Sequence, residues 1–282
     1  MLTGKAMLAG VIGWPVGHSR SPALHGFWLA EHGIDGAYVP LAVRPESLRA
    51  ALAGLAALGF RGANVTVPHK ESALTLVDRA SDMAMRIGAV NTIAIAEDGT
   101  LEGDNTDAFG FIENLRETRP DWRAATGPAV VIGAGGAARA IAVALADAGA
   151  PEIRIVNRTK ERAERLVQEI GPPSVAIEWH DRAAALADAA LLVNATTQGM
   201  DKEAPLDLDL ARLPNGALVH DIVYVPLETP LLAAAHARGN PTVDGLGMLL
   251  HQARPGFAAW FGIEPTVTPG LRAAVLAAAT QR

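Results

Sequence analysis

The stretch VVIGAGGAARA, residues 130–140, decides the fold of this chain. Its apolar start predicts a buried strand, and the Ala-rich segment that continues to Ala148 predicts a helix. Between them Gly133, Gly135 and Ala138 complete the pattern G-x-G-x-x-G/A, whose small residues permit a tight turn, a close approach to a pyrophosphate and close helix packing. A helix N-terminus adds free N–H groups for phosphate. The stretch therefore favours a dinucleotide-binding unit over a glycine-rich turn without a ligand.

The end of the next predicted strand, residues 152–156, indicates which dinucleotide binds. Units that bind NAD usually place Asp or Glu there for the ribose 2′-hydroxyl, whereas this chain has Asn157, Arg158 and Thr159, with Arg162 one helical turn further on. Two guanidiniums would hold a 2′-phosphate by charge-assisted hydrogen bonds, which a carboxylate would repel. The sequence thus favours NADP(H). The alternative is that both arginines are merely solvated charges at an exposed helix start.

Composition narrows the class of protein further. The chain has 282 residues, half of them apolar, and a net charge of −6, which suits two domains and argues against nucleic acid as the main partner. Its lack of cysteine excludes disulfides and thiolate metal ligands, and without an H-E-x-x-H pattern we expect no metal. Trp14 and Pro15 interrupt the apolar N-terminal run, and no apolar stretch is long enough to span a bilayer. We therefore expect a cytoplasmic enzyme that does not bind membranes.

Strand and helix patterns alternate along the chain, which predicts parallel sheets covered by helices. In the first part we expect strands near 7–13, 37–43, 61–67 and 90–96, helices at 22–32, 45–58, 69–76 and 105–118, and a hairpin turn at 97–100 leading into a short strand at 100–103. After a polar segment at 119–128 we expect strands near 129–133, 152–156, 174–178, 190–194 and 217–221, then a helix at 229–238, a strand at 241–243 and two final helices.

This order predicts an α/β fold of two domains with a cleft between them. The first is an N-terminal α/β/α substrate-binding domain, built from residues 1–108 together with 245–282. The second is a Rossmann-type NADP-binding domain at residues 109–244. We expect the cleft to close around the ligands and to exclude water.

Four polar clusters follow predicted strands, where α/β sheets build their sites. They are GHSRSP at 17–22, NVTVPHK at 64–70, AVNT at 89–92 and GDNTD at 103–107. Two hydroxyls beside a helix N-terminus suit a carboxylate, although Ser21 is also a good N-cap. Asn64 and Thr66 point the same way on a strand and suit a polyol. A single lysine such as Lys70 is more often a solvated surface charge than a catalytic group. Asp104 or Asn105 is a candidate cap for the next helix, so Asp107 is not needed as a cap and is available for a functional role.

Taken together, these clusters resemble the shikimate dehydrogenases of the bacterial biosynthetic type. The resemblance covers essentially the whole chain and rests on nine motifs in order: GHSRSP, NVTVPHK, AVNT, GDNTD, GAGGAAR, NRTKER, NATTQGM, DIVYVPLETPLL and DGLGMLLHQA. It implies reversible reduction of 3-dehydroshikimate to shikimate with NADPH, on the route to aromatic amino acids. It implies a small-molecule substrate and leaves open whether the protein is a monomer or a homodimer.

The resemblance also implies roles for individual residues. Lys70 and Asp107 match the catalytic pair, and we expect the protonated amine of Lys70 to donate to the ketone oxygen while Asp107 holds it. Whether Lys70 alone or the coupled pair moves the proton stays open. The implied substrate-binding residues are Ser19, Ser21, Asn64, Thr66, Asn91, Tyr224 and Gln252. The implied cofactor-binding residues are Gly133, Ala134, Gly135, Gly136, Ala137, Asn157, Arg158, Thr159, Arg162, Thr196, Ile222, Gly245 and Asp82.

Two departures from the family pattern flank these residues. Gly26 stands where the family often has Asn, and Ala108 stands where it usually has Gly, so we expect these departures to bear on substrate preference more than on the chemistry. A quinate/shikimate dehydrogenase that also uses NAD is therefore one alternative. A methylene-tetrahydrofolate dehydrogenase and an NADPH-sensing module with an inactive site are two others.

Overall fold

In the computed structural model, which describes residues 2–280, the chain divides into two compact units. The first unit comprises Met1–Gly110 and Leu249–Arg282, and the second comprises Phe111–Met248. The sequence prediction placed these divisions a few residues earlier, at 108/109 and 244/245. Both divisions fall inside helices, α5 (Asp107–Thr118) and α9 (Leu246–Phe261), so the chain passes between the units in helical segments.

The first unit contains a six-stranded mixed sheet with the order β2-β1-β3-β5-β6-β4. Its strands are β1 (Met7–Gly13), β2 (Gly36–Ala42), β3 (Gly62–Val65), β4 (Arg79–Ala80), β5 (Thr92–Ile95) and β6 (Leu101–Asp104). The general expectation of parallel sheets is wrong for β5, which runs antiparallel to both β3 and β6, whereas the hairpin expected at 97–100 is confirmed between β5 and β6. The turn between β5 and β6 is too short for the crossover that a parallel pair needs. Gly99 has a φ of +87° in this turn.

The first unit also contains helices with buried apolar side chains. They are α1 (Ser21–Glu31), α2 (Leu48–Ala57), α3 (Lys70–Leu74), α4 (Asp82–Ile87), the start of α5, most of α9, and α10 (Pro269–Thr280). One core cluster joins Leu52 of α2 to Val65 and Ile93 of the sheet. The sequence prediction missed β4 and α4, which have only two and six residues. In both cases the element is too short to show a hydrophobic period.

The second unit contains a six-stranded parallel sheet with the order β12-β11-β10-β7-β8-β9. Its strands are β7 (Ala129–Ile132), β8 (Ile153–Val156), β9 (Ser174–Ile177), β10 (Leu191–Asn194), β11 (Leu218–Asp221) and β12 (Thr242–Val243). Its helices are α6 (Gly136–Asp147), α7 (Lys160–Ile170) and α8 (Pro230–Ala237), with the end of α5 and the start of α9. This is the doubly wound Rossmann order, in which the strand order reverses beside β7 and ligands bind at the carboxyl ends of the strands.

The predicted alternation of strand and helix is incomplete in this unit. Within the described chain, the link from β9 to β10 forms only two short 3₁₀ turns, Trp179–Asp181 and Ala184–Leu186, and the link from β10 to β11 contains no α-helix. Leu186, Leu210 and Leu213 of these links are nevertheless buried in the core. The links therefore cover the sheet in the way that helices would.

The fold class predicted from the sequence is confirmed as a two-domain α/β fold with a Rossmann-type unit. Within residues 2–280, every helix is either too short or too polar to cross a membrane.

Candidate active site

Lys70 and Asp107 meet in the first unit. Lys70 begins α3 shortly after β3, and Asp107 begins α5 shortly after β6. The Nζ atom of Lys70 donates to Oδ2 of Asp107, and the two side chains are 16% and 7% exposed. The backbone N–H of Asp107 donates to Oδ1 of Asn105 over 3.0 Å, so the Asn105 side chain satisfies the first N–H group of this helix. An amine and a carboxylate from different strand ends are thus fixed side by side in a largely buried setting.

Asn91 fixes the other oxygen of this carboxylate. Its Nδ2 atom donates to Oδ1 of Asp107 over 2.8 Å and lies 3.3 Å from Oε1 of Gln252. Its Oδ1 atom accepts from the backbone N–H of Thr106 over 2.8 Å, and because that N–H can only donate, the orientation of the amide is determined. Both oxygens of Asp107 are therefore held, one by Asn91 and one by Lys70.

Asn64 is held just as firmly, by a tyrosine that the sequence analysis did not single out. Its Nδ2 atom donates to the backbone carbonyl of Asn91 over 3.2 Å and to Oγ1 of Thr92 over 3.1 Å. That carbonyl can only accept, so Oδ1 of Asn64 faces the Tyr38 hydroxyl, which donates to it over 2.6 Å. The buried His25 side chain also interacts with Asn64. Asn64 is thus a buried amide of fixed orientation, a group that suits recognition of a hydroxyl.

Of the remaining predicted residues of the first unit, Ser21 is joined to this network through Tyr38, whose hydroxyl interacts with the Ser21 side chain as well as with Asn64. Ser21 is the first residue of α1 rather than its cap, and its backbone N–H donates to Oγ of Ser19 over 3.3 Å. Thr66 lies one residue beyond the end of β3, and its backbone N–H still donates to the carbonyl of Ile12 on β1 over 2.9 Å.

The glycine-rich turn of the second unit fits a pyrophosphate. Gly133 has a φ of +119°, and a Cβ atom there would lie 3.1 Å from both the carbonyl oxygen of Ala195 and Cγ2 of Thr196. Gly135 precedes α6 without any side-chain cap, and a Cβ atom on it would meet nothing within 4 Å. The N–H groups at the start of this 12-residue helix therefore face an open cradle, which is the geometry that binds phosphate.

The segment after β8 fits a second anion. Nδ2 of Asn157 donates to the carbonyl of Thr159 over 2.9 Å, which shapes the turn before α7. Thr159 precedes that helix, but its hydroxyl makes no capping bond. Arg158 and Arg162 are exposed on either side of the helix start. Two arginines therefore stand among the residues around the start of this helix, and guanidiniums and a helix N-terminus are groups that suit a 2′-phosphate.

Four further predicted residues lie on loops of the second unit. Thr196 follows β10 and donates its hydroxyl to Oδ1 of Asn194 over 2.7 Å. Ile222 follows β11, and a Cβ atom on Gly245 would lie only 2.2 Å from its carbonyl oxygen, so position 245 requires glycine. Tyr224 lies two residues further along the same loop.

Two residues lie in a different unit from the other members of their predicted group. Tyr224 was grouped with the substrate residues but belongs to the second unit, whereas Asp82 was grouped with the cofactor residues but belongs to the first. Asp82 is exposed in the first turn of α4, where its carboxylate favours the positive end of the helix dipole. This favourable interaction between the carboxylate and the helix dipole is sufficient to account for an acidic residue at that position.

Comparison with known proteins agrees with this arrangement. Residues 11–93 match the family model described as the shikimate dehydrogenase substrate binding domain, and residues 117–201 match that of shikimate / quinate 5-dehydrogenase. A shikimate dehydrogenase (NADP(+)) of Paramagnetospirillum magneticum is 62% identical over 275 residues, which is 98% of this chain and 100% of that protein. The chain belongs to the shikimate dehydrogenase family. The resemblance inferred from the nine motifs is therefore confirmed.

Further members of the family extend the comparison. The shikimate dehydrogenase (NADP(+)) of Rhodospirillum rubrum is 63% identical and covers 98% of this chain and 99% of its own. A solved shikimate 5-dehydrogenase of Thermus thermophilus, in complex with NADP(H) and shikimate, is 39% identical with a TM-score of 0.86, covering 96% of this chain and 99% of its own. A quinate dehydrogenase of Corynebacterium glutamicum in complex with NAD is 33% identical with a TM-score of 0.89, with the same coverage.

This family member also contains a buried polar cluster that the sequence analysis did not identify. Asn194, Asp221 and Thr229 are completely buried in the second unit and hydrogen-bonded to one another. Each stands in one of the quoted motifs, NATTQGM or DIVYVPLETPLL. The available signal in the sequence was that Asn194 and Asp221 each end an apolar strand. That signal does not show which residue each of them hydrogen-bonds.

Proposed function

We propose that this chain catalyses the reversible, NADPH-dependent reduction of 3-dehydroshikimate to shikimate in aromatic amino acid (chorismate) biosynthesis. The observation that carries the proposal is the buried pairing of Lys70 with Asp107, whose second oxygen is held by Asn91. Membership of the shikimate dehydrogenase family supports the substrate and the cofactor. The sensor with an inactive site is disfavoured because both members of the pair are present and in contact.

In this reaction the side chains of the protein supply and accept the proton. NADPH, when bound, supplies a hydride to the ring ketone. The Lys70 ammonium donates a hydrogen bond and then its proton to the ketone oxygen, on which negative charge develops as the hydride arrives. Asp107 keeps the ammonium directed at that oxygen, and Asn91 keeps Asp107 from rotating. The neutral amine then regains a proton from water, and the reverse reaction uses it as the base.

Substrate binding is assigned chiefly to polar residues of the first unit. Asn64, Thr66, Asn91 and Gln252 bind the ring hydroxyls, with Tyr224 as an additional candidate from the second unit. Ser19 and Ser21 offer hydroxyls to the carboxylate of shikimate. These groups together favour a substrate that carries both hydroxyls and a carboxylate.

Cofactor binding is assigned to residues of the second unit, with Asp82 as an additional candidate from the first. Gly133, Ala134, Gly135, Gly136 and Ala137 hold the pyrophosphate. Asn157, Arg158, Thr159 and Arg162 hold the 2′-phosphate, which selects NADP(H) over NAD(H). The nicotinamide end lies against Thr196, Ile222 and Gly245.

A direct turnover assay tests the proposal. We expect the purified chain to reduce NADP⁺ with shikimate, as followed by nicotinamide absorbance, and to do so faster than with quinate or with NAD⁺. Turnover of quinate with NAD⁺ at the higher rate would favour the quinate dehydrogenase alternative, to which the Corynebacterium glutamicum structure is similar. Absence of turnover with every pair, from protein that binds NADPH, would favour the sensor.

A further inference from the structure

Asp221 is a buried carboxyl group that the proposed chemistry does not use. It is the last residue of β11 and is completely buried. Its Oδ1 atom accepts from Nδ2 of Asn194 and from the backbone N–H of Val223, each over 3.0 Å, and its Oδ2 atom accepts from the Thr229 hydroxyl over 2.6 Å. Because the Thr229 hydroxyl also accepts from the N–H of Leu232, its own proton is directed at Asp221.

These bonds close the loop that follows β11. The carboxyl group binds the loop near its start, at Val223, and at its end, at Thr229, which caps helix α8. Ile222 and Tyr224, which the proposed function places at the nicotinamide and at the substrate, lie between these two attachment points or beside them. Rotation of the Asp221 side chain would therefore release both ends of the loop.

The same carboxyl group also joins this loop to the turn that follows β10. Asn194 and Asp221 are neighbours in register on the parallel strands β10 and β11. The amide of Asn194 donates to Asp221 and to the carbonyl of Gln198, and it accepts from the backbone and the hydroxyl of Thr196. Thr196 is a residue that the proposed function places at the nicotinamide end. One buried pair thus determines the shape of both loops.

Stability alone is a poor reason for a carboxyl group at this position. Burial raises the pKa of Asp221 to about 6 in spite of the hydrogen bonds from Thr229, Val223 and Asn194, and none of the interactions on it in the described chain comes from a charged side chain. Burying an ionisable group without an opposite charge costs free energy, and apolar residues of similar volume often replace such groups without loss. The three directed hydrogen bonds therefore indicate that the group serves to orient its neighbours.

We infer that Asp221 is a positioning residue, which acts through Asn194, Val223 and Thr229 to hold Thr196, Ile222 and Tyr224 in place for the nicotinamide and the substrate. The inference rests on the proposed function. It gives the second unit two separable parts: an adenosine end, formed by the glycine turn and the two arginines, that does not depend on Asp221, and a nicotinamide end that does.

The test compares two ligands on the variant Asp221→Asn, which keeps the shape of the side chain. NADPH occupies both ends, whereas adenosine 2′,5′-bisphosphate occupies only the adenosine end. We expect the Kd for NADPH and the KM for shikimate each to rise about tenfold, the effect of losing one hydrogen bond to a charged group, while the Kd for adenosine 2′,5′-bisphosphate changes by less than about twofold. The matched control is Asp188→Asn, which removes an exposed carboxylate of the same unit and is expected to change none of the three constants.

A second pair of variants keeps the test valid if Asp221→Asn does not fold. Thr229→Val removes the hydroxyl that donates to Asp221, and Thr229→Ser retains it. We expect the valine variant to reproduce the selective loss of NADPH affinity and the serine variant to restore it. An equal loss of affinity for both ligands, or no loss for either, would overturn the inference. A wild-type chain that binds neither ligand would instead count against the proposed function.

Discussion

The buried imidazole of His220 should make the second unit sensitive to acid. Burial lowers its pKa from 6.5 to about 3. Between these two values the unfolded chain binds a proton that the folded chain does not, so stability rises with pH and is lost as pH falls. The loss is about 1.4 kcal/mol per pH unit below about 6.5, which amounts to about 2 kcal/mol between about pH 7.5 and about pH 5. Asp221, whose pKa is raised to about 6, acts in the opposite direction.

The variant His220→Gln isolates this contribution because glutamine does not titrate. Native-state hydrogen exchange of the amides in β10 and β11, corrected for intrinsic rates at each pH, reports the free energy of opening of the second unit. We expect its decrease between about pH 7.5 and about pH 5 to be smaller by about 2 kcal/mol in the variant than in the wild type. The control is His180→Gln, an exposed position of the same unit, which should leave the pH dependence unchanged. A wild-type pH dependence in His220→Gln would refute the reasoning.

Three further predictions concern the site. Lys70→Ala should lower kcat by about 10²–10⁴-fold while the Kd for NADPH, measured by fluorescence titration, stays within about twofold; near-normal turnover would discard Lys70 as the proton donor. Arg158→Ala should raise the Kd for NADPH by about tenfold or more and leave that for NADH unchanged, since only NADPH carries the 2′-phosphate, and equal effects would rule out this assignment. Tyr38→Phe should raise the KM for shikimate by about tenfold, because Asn64 loses the donor that fixes it, with unchanged NADPH affinity; an unaltered KM would show that Asn64 needs no support from Tyr38.

The second unit was predictable because its signals are local. The strands β7, β8 and β10 are apolar runs with clear ends, and the glycines after β7 identify the turn by the conformations that they permit. The hairpin turn at 97–100 predicted the antiparallel pairing of β5 with β6. The antiparallel pairing of β5 with β3 was not predictable in the same way, because it depends on how the chain returns through the short elements β4 and α4. The N-cap Ser81 and the left-handed Gly88 were the available signals for α4.

The site residues likewise differ in whether a local sequence pattern indicates them. Lys70 and Asp107 were indicated because they stand in two of the family's motifs, NVTVPHK and GDNTD, which can be recognised in a single sequence. Tyr38 and Asp221 were missed, since their partners Asn64 and Asn194 lie 26 and 27 residues away along the chain. Whether a polar residue in an apolar strand has found a partner is a property of the folded sheet, which a single sequence does not contain.

The central claim is that Lys70 and Asp107 act together on one oxygen atom. A double-mutant cycle on kcat, with Lys70→Ala, Asp107→Asn and the double variant in saturating shikimate and NADP⁺, tests it most directly. We predict that the double variant is no slower than the slower single variant to within about threefold, because removing either partner already disables the pair. If the two losses multiply, the residues contribute independently and the account of a joint proton-transfer unit is contradicted.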